Sequence, residues 1–362
     1  MPQTLSVIKA GVGGFVGGGA VHPEVIEAVR ARLAPAVSAS GLLDAQAYAC
    51  GDTLFLVLSH EHGEGAEPVH RAAWDALTAA AKVAERLHQH GPARDLLPDA
   101  FTGNLRGTGP AVAELEFVER PSEPVVVLLG DGAANGAFNL PLARTFADPF
   151  TTPGLVLAES LHEGFSFEVH DTALAKKIMF NTPEETYDLL AFIGLTERYV
   201  VKRVIARATG EVVVATSSDP VALGSGPSAG RNDPTAIVRC HGAFPTVAEL
   251  TGPYATPQLV DGALRGSHVG AWLPVGLADA AAVADEPRVV ALGFQVADGR
   301  LGTPRDLFAD ASFDAVRAES RALTAALRRH GPFTPHRLPM DSVEVTSLPA
   351  AAAKLANRWS PL

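Results

Sequence analysis

Paired strand runs limit most what this chain can fold into. DAQAYAC, within 41–50, is followed at 53–60 by TLFLVLSH, and YVVKRVIA, within 196–208, is followed at 211–216 by EVVVAT. Each pair reads as an antiparallel hairpin, since both members are rich in apolar and β-branched residues and only a short turn separates them. Further strand runs are LSVIKA, AVAELEFV, VVVLLG, FSFEVH, AIVRC and RVVALGFQV. Several alternate apolar with polar residues, as a sheet with one buried face requires. Strands and helices do not alternate strictly, which favours an α+β fold with mainly antiparallel sheets over a doubly wound parallel one.

Helical spacing predicts helices over 22–36, 67–90, 183–193, 312–330 and 348–358. The second should stop at Gly91, a C-cap glycine. The fourth has Ser312 as a cap, arginines in its last turn and Gly331 beyond it. No linker splits the chain, so 1–362 reads as a single domain. The Gly-, Ser- and Pro-rich stretch SSDPVALGSGPSAGRNDP, about 217–234, reads as a mobile loop.

The formal net charge of -11, without clustered lysines, speaks against nucleic acid and anionic membranes as partners. Cys50 and Cys240 have no metal-type spacing, and reduced thiols in a cytoplasmic protein are the expectation. No leader pattern opens the chain, and no apolar run reaches membrane-spanning length. Between LSVIK and VIEAVRARL lies AGVGGFVGGGAVHPE, residues 10 to 24. Strand, glycine-rich turn and helix suggest a phosphate cradle. The context fails both the dinucleotide fingerprint and the phosphate loop, however, because no well-placed acidic residue and no Gly-Lys-Ser/Thr follow. A tight strand-to-helix connection is the simpler reading.

The segments VHPE, CGD, HRAAWDA, DLLPDAFTGN, ERPSEPVVV, NLPL, FADPF, TPEETYDLLA, GRNDP, LRGSHVG, PRVVALGFQ and RRHGPFTPHRLP follow SVIKA-x-VGGFVG in order. Together they resemble the fructose-1,6-bisphosphate aldolase/phosphatase family, from about residue 4 to 350. The resemblance implies a single-domain four-layer α-β-β-α sandwich assembled as a homo-octamer. It also implies several magnesium ions on carboxylates, a lysine Schiff base that condenses two triose phosphates, and removal of the 1-phosphate in the same pocket.

Where the family has an aspartate and a metal-binding histidine, this chain has Gly11 and Gly18. The paired aspartates after CG correspond to Asp52 and Thr53, the ligand glutamine before DLL to Arg94, and a substrate-contacting tyrosine to His90. Asp131 is kept, followed by Gly132 in place of a phosphate-binding lysine. The catalytic tyrosine corresponds to Ser228, the Schiff-base lysine to Arg231, and an aspartate pair to Asn232 and Asp233. A further ligand glutamine corresponds to His241 and a substrate-contacting tyrosine to Val345, while Gly103, Asn104 and Arg265 remain. On this comparison the glycines of the opening stretch are emptied ligand positions.

Guanidinium stays charged in proteins, so Arg231 cannot form the imine that a lysine forms. Magnesium needs oxygen ligands, and Asp52, Asp131 and Asp233 are the carboxylates left for it. The resulting expectation is a repurposed enzyme of specialised metabolism. It would use metal-independent acid–base chemistry (aldol-type, dehydration, isomerisation or cyclisation) on a small, anionic or polarised substrate, with no cofactor or at most one weakly held magnesium. His90, His241, Arg231, Asp52 and Asp233 are the expected catalytic groups. Arg94, Gly103, Asn104, Asp131, Ser228 and Arg265 are the expected substrate contacts. The alternatives are a non-catalytic binding partner on the same scaffold and, ranked last, the family's own activity.

Overall fold

The computed structural model describes residues 2–16, 19–39, 41–93, 95–96, 110–196, 198–217, 234–261, 269–281, 286–329 and 347–362. The first sheet contains β1 (Pro2–Gly11), β2 (Leu42–Cys50), β3 (Thr53–His60) and β4 (Ala111–Val118), in the order β2-β3-β1-β4. All its pairings are antiparallel, and Gly11 of β1 faces Thr53 of β3. Helices α1 (Pro23–Ala39) and α2 (Glu67–Arg86) cover one face. Between them and the sheet lies a core of Ile8, Ala10, Leu54, Leu56 and Leu58 against Val25, Val29, Ala73, Ala76 and Leu77.

The second sheet is larger. Its strands are β5 (Glu123–Asp131), β6 (Phe165–Asp171), β7 (Lys176–Asn181), β8 (Tyr199–Ala206), β9 (Val212–Thr216) and β10 (Thr235–Arg239). After the separate two-stranded ribbon of β11 (Leu259–Asp261) and β12 (Val269–Ala271) come β13 (Leu273–Pro274) and β14 (Arg288–Ala297). The short strands β15 (Arg300–Leu301) and β16 (Arg305–Asp306) pair with β14, and β17 (Ser360–Pro361) pairs with β7. The order is β13-β14-β5-β10-β9-β8-β6-β7-β17. Helices α3 (Asn139–Phe146), α4 (Gly154–Leu157), α5 (Thr186–Ile193), α6 (Val247–Thr251), α7 (Asp314–Arg328) and α8 (Ser347–Leu355) complete the chain.

The two sheets pack face to face through Leu5, Val7, Phe55, Val57, Ala113 and Leu115 on one side and Val125, Val127, Leu129, Ile237, Val290 and Leu292 on the other. The outer face of the larger sheet packs on α3, α5 and α8 through a third core that includes Phe165, Phe167, Leu142, Phe192 and Leu355. The architecture is therefore the expected four-layer α-β-β-α sandwich. Side chains alternate across a strand, so β1 places Leu5 and Val7 between the sheets and Ile8 and Ala10 under the helices. Central strands buried on both faces read as continuous apolar runs for this reason.

Both expected hairpins form, as β2–β3 and β8–β9. Helix ends differ from the predicted ones by a few residues. Helix α2 ends at Arg86 and not at Gly91, because His88 takes a positive φ of 52° and turns the chain away. Helix α7 begins at Asp314, and the capping oxygen before it belongs to Asp310, whose side chain accepts from the Ser312 N–H; Gly331 lies outside the described residues. The sequence reading missed α3, a short helix with Pro141 inside it. Among the described residues no helix is long and apolar enough to cross a membrane.

Candidate active site at one end of the sandwich

The β2–β3 turn consists of Gly51 and Asp52. Gly51 has a φ of 59°, a left-handed conformation that glycine adopts at little cost. Its N–H donates to the Ala280 carbonyl at 2.9 Å. Its Cα lies directly against the last residue of β5: a Cβ on Gly51 would stand 2.1 Å from Asp131 Oδ1 and 2.6 Å from Oδ2. The turn thereby carries Asp52 to the Asp131 end of the second sheet. Both carboxylates are buried, with 2% of Asp52 and 1% of Asp131 exposed.

A second segment closes on the same end. Ala93 N–H donates to the Val12 carbonyl, and Asp95 Oδ2 accepts from the Gly11 N–H at 2.7 Å. His90 and Gly14 exchange backbone hydrogen bonds of 2.9 and 3.0 Å. The histidine thus sits on the rim, exposed, and not at the close of a helix. Across the second sheet, Arg288 of β14 is the register partner of Asp131. Position 132, a phosphate-binding lysine in the expected family, is a glycine with a φ of 70°.

His241 does not join this group. Arg239 pairs with Val125 of β5, and Asp131 lies six residues further along, roughly 20 Å at about 3.3 Å per residue. At its own end, His241 takes a φ of 64°. Its carbonyl accepts from Arg120 Nη1 at 2.7 Å, and its Nε2 accepts from the Val247 N–H at 3.4 Å. This end of the inter-sheet space is closed by an ion network. Glu123 Oε2 meets Arg239 Nη2 at 2.8 Å, Glu123 Oε1 meets Arg120 Nη2 at 2.7 Å, and Glu211 adds a third carboxylate contact to Arg239. Within one chain, His241 thus stands at the other end of the sheet from Asp131.

Arg94, Gly103, Asn104, Ser228, Arg231, Asp233 and Arg265 lie outside the described residues, as do Gly18 and Val345. The structure brings Asp52 and Asp131 together and puts His90 on their rim. It adds Lys9, Asp95 and Arg288, which the sequence reading passed over. In the sequence they are the lysine of LSVIKA, the aspartate of DLLPDA and the arginine that opens RVVALGFQV, none of which differs locally from an ordinary strand or loop residue.

One or two carboxylates together with substrate phosphates are the usual setting for magnesium. Asp52 and Asp131 fit that donor set. Among the described residues no group of three or more His, Cys, Asp and Glu side chains gathers as an ion site.

A family model described as fructose-1,6-bisphosphatase matches residues 3–360. The chain belongs to this family, and its relatives give the family's fuller name. A fructose-1,6-bisphosphate aldolase/phosphatase from Moorella thermoacetica is 45% identical over 98% of this chain and 94% of its own length. One from Methanothermobacter marburgensis is 45% identical over 100% of both chains, and one from Methanocaldococcus jannaschii is 47% identical over 99% of this chain and 92% of its own.

These relatives overturn the expectation of a repurposed, metal-independent enzyme or a non-catalytic scaffold. That expectation rested on single positions. Arg94 and Arg231 lie outside the described residues, and His241 stands at the opposite end of the sheet. The whole length of the chain, by contrast, agrees with relatives named for both activities.

Proposed function

We propose that the chain carries the chemistry for which its relatives are named, acting on fructose 1,6-bisphosphate as aldolase and phosphatase. The observation that carries this reading is identity of 45% over the full length of a relative so named. The buried pair Asp52 and Asp131 supports it, since hydrolysis of a phosphate ester needs groups that orient water and manage charge in a site shielded from solvent. A magnesium ion held by these two carboxylates would neutralise charge on the phosphoryl oxygens. The protein's own groups place the reaction. The Gly51 turn fixes Asp131 from above, Asp95 ties the 90–96 segment to the end of β1, and the apolar inter-sheet core below excludes water.

The test is an assay of the full chain with magnesium in both directions of use. Release of inorganic phosphate from fructose 1,6-bisphosphate and formation of the hexose bisphosphate from triose phosphates are expected from one preparation. Absence of both would overturn the reading.

A further inference from the structure

The chain has six lysines, and Lys9 alone is buried, with 5% of its surface exposed. It follows Leu5 and Val7 on the inward phase of β1, and these belong to the inter-sheet core. Its register partners on either side are Phe55 and Ala111, both buried. The lysine therefore enters the space between the sheets from an apolar surround. It does so at the end that holds the carboxylates. Two residues on, and on the same face, Gly11 pairs with Thr53, the residue after Asp52. Across the gap, the inward phase of β5 runs Val125, Val127, Leu129 and then Asp131, and that of β14 ends in Arg288.

A buried ammonium keeps its charge only beside anions. By register Lys9 stands two residues below Gly11 on the inner face of β1, at the end where the inner face of β5 finishes in Asp131. A lysine at this place offers a compact, rotatable point charge of the kind that suits a phosphate group.

We propose that Lys9 is a substrate-binding residue whose ammonium contacts a phosphoryl group of the ligand from the floor of the site. This rests on the proposed action on sugar phosphates for its substrate, and on the inward register of β1 for its geometry.

The experiment compares the full-length wild type with Lys9→Met, which keeps the stem and removes the charge, and with Lys9→Arg, which keeps the charge. The probes are inorganic phosphate, fructose 6-phosphate and fructose 1,6-bisphosphate, each titrated calorimetrically in magnesium, with steady-state phosphate release and melting temperature alongside. A charge-assisted contact predicts about ten- to hundredfold weaker phosphate binding in Lys9→Met and a matching rise in KM. Lys9→Arg should recover part of the affinity. Loss with fructose 1,6-bisphosphate and inorganic phosphate but not with fructose 6-phosphate would assign Lys9 to the phosphoryl group that leaves; loss with all three would assign it to the one that stays.

Phosphate affinity of Lys9→Met within twofold of wild type overturns the proposal, as does a wild type that binds no phosphate. Should Lys9→Met fail to fold, amine modification of the wild type decides. Saturating phosphate should protect Lys9 from a small acylating reagent by at least fivefold, and equal labelling with and without phosphate overturns the proposal. A wild type that binds phosphate through Lys9 yet turns over no fructose 1,6-bisphosphate would sink the proposed function and leave the lysine assignment standing.

Discussion

Gly51 and Asp131 are in contact across the seam between the two sheets: the Asp131 carboxylate fills the space in which any side chain at position 51 would begin, 2.1 Å from Oδ1. Gly51→Ala should therefore fail twice. The left-handed φ costs an alanine about 1–2 kcal/mol, and displacement of a buried neighbour costs about 1–3 kcal/mol more. Urea unfolding should show a loss of about 2–5 kcal/mol, with phosphate release from fructose 1,6-bisphosphate reduced even where the protein remains folded. A variant as stable and active as wild type would contradict the contact.

Asp131→Asn and Asp52→Asn preserve shape and remove charge. Each should lower phosphate release by about a hundredfold or more if these carboxylates manage charge in the reaction, with little change in circular dichroism. An activity loss below threefold for either would remove that residue from the site.

A polar network lies under the helices at the opposite end of β1. Ser6 Oγ stands 2.8 Å from His60 Nε2 and donates to Glu114 Oε1, which also meets His70 Nε2 at 3.1 Å. Burial lowers the His60 pKa to about 4; Glu114 opposes the shift, while His62 and His70 add to it. Burial pushes Glu114 up, but hydrogen bonds from His70, Ser6 and the Gly65 N–H outweigh it and hold the carboxyl below its usual range. Both groups are depressed in the folded state, so the unfolded chain binds more protons as pH falls. The stability His60 contributes is complete above its unfolded value of about 6.5 and is lost as pH falls towards about 4. At about 1.4 kcal/mol per pKa unit the loss reaches at most on the order of 3 kcal/mol. Urea midpoints measured between these limits should fall with pH, and His60→Gln should flatten the slope.

Arg239 is buried and is held by Glu123 and Glu211. Arg239→Met leaves Glu123 buried with Arg120 as its remaining ion-pair partner among the described residues, and should cost about 3–5 kcal/mol. Adding Glu123→Gln should recover a measurable part of that loss in a double-mutant cycle. Additive losses would show that the two residues act independently.

The fold was legible because its strands repeat one physical pattern. The hairpins at 41–60 and 196–216 announce themselves through apolar runs on both sides of a short turn, and the order of motifs gave the sandwich. The active-site end was half legible. Asp52 and Asp131 stood out as acidic residues in resembling segments, but Lys9, Asp95 and Arg288 gave no local signal that pointed to a site. Their significance depends on which strand lies across the gap, and no local periodicity records that. His241 was named through the resemblance alone, and within one chain the direction of β10 carries it to the other end of the sheet from Asp131.

The Gly51–Asp131 contact also bears on when the site comes into being. Its two halves grow on different sheets, each of which can pair its own strands without the other. A chain with both sheets formed but not yet docked would have nearly full secondary structure and no catalytic pocket. During refolding, regain of activity should therefore trail regain of the far-ultraviolet signal, and the delay would time the docking of the two sheets.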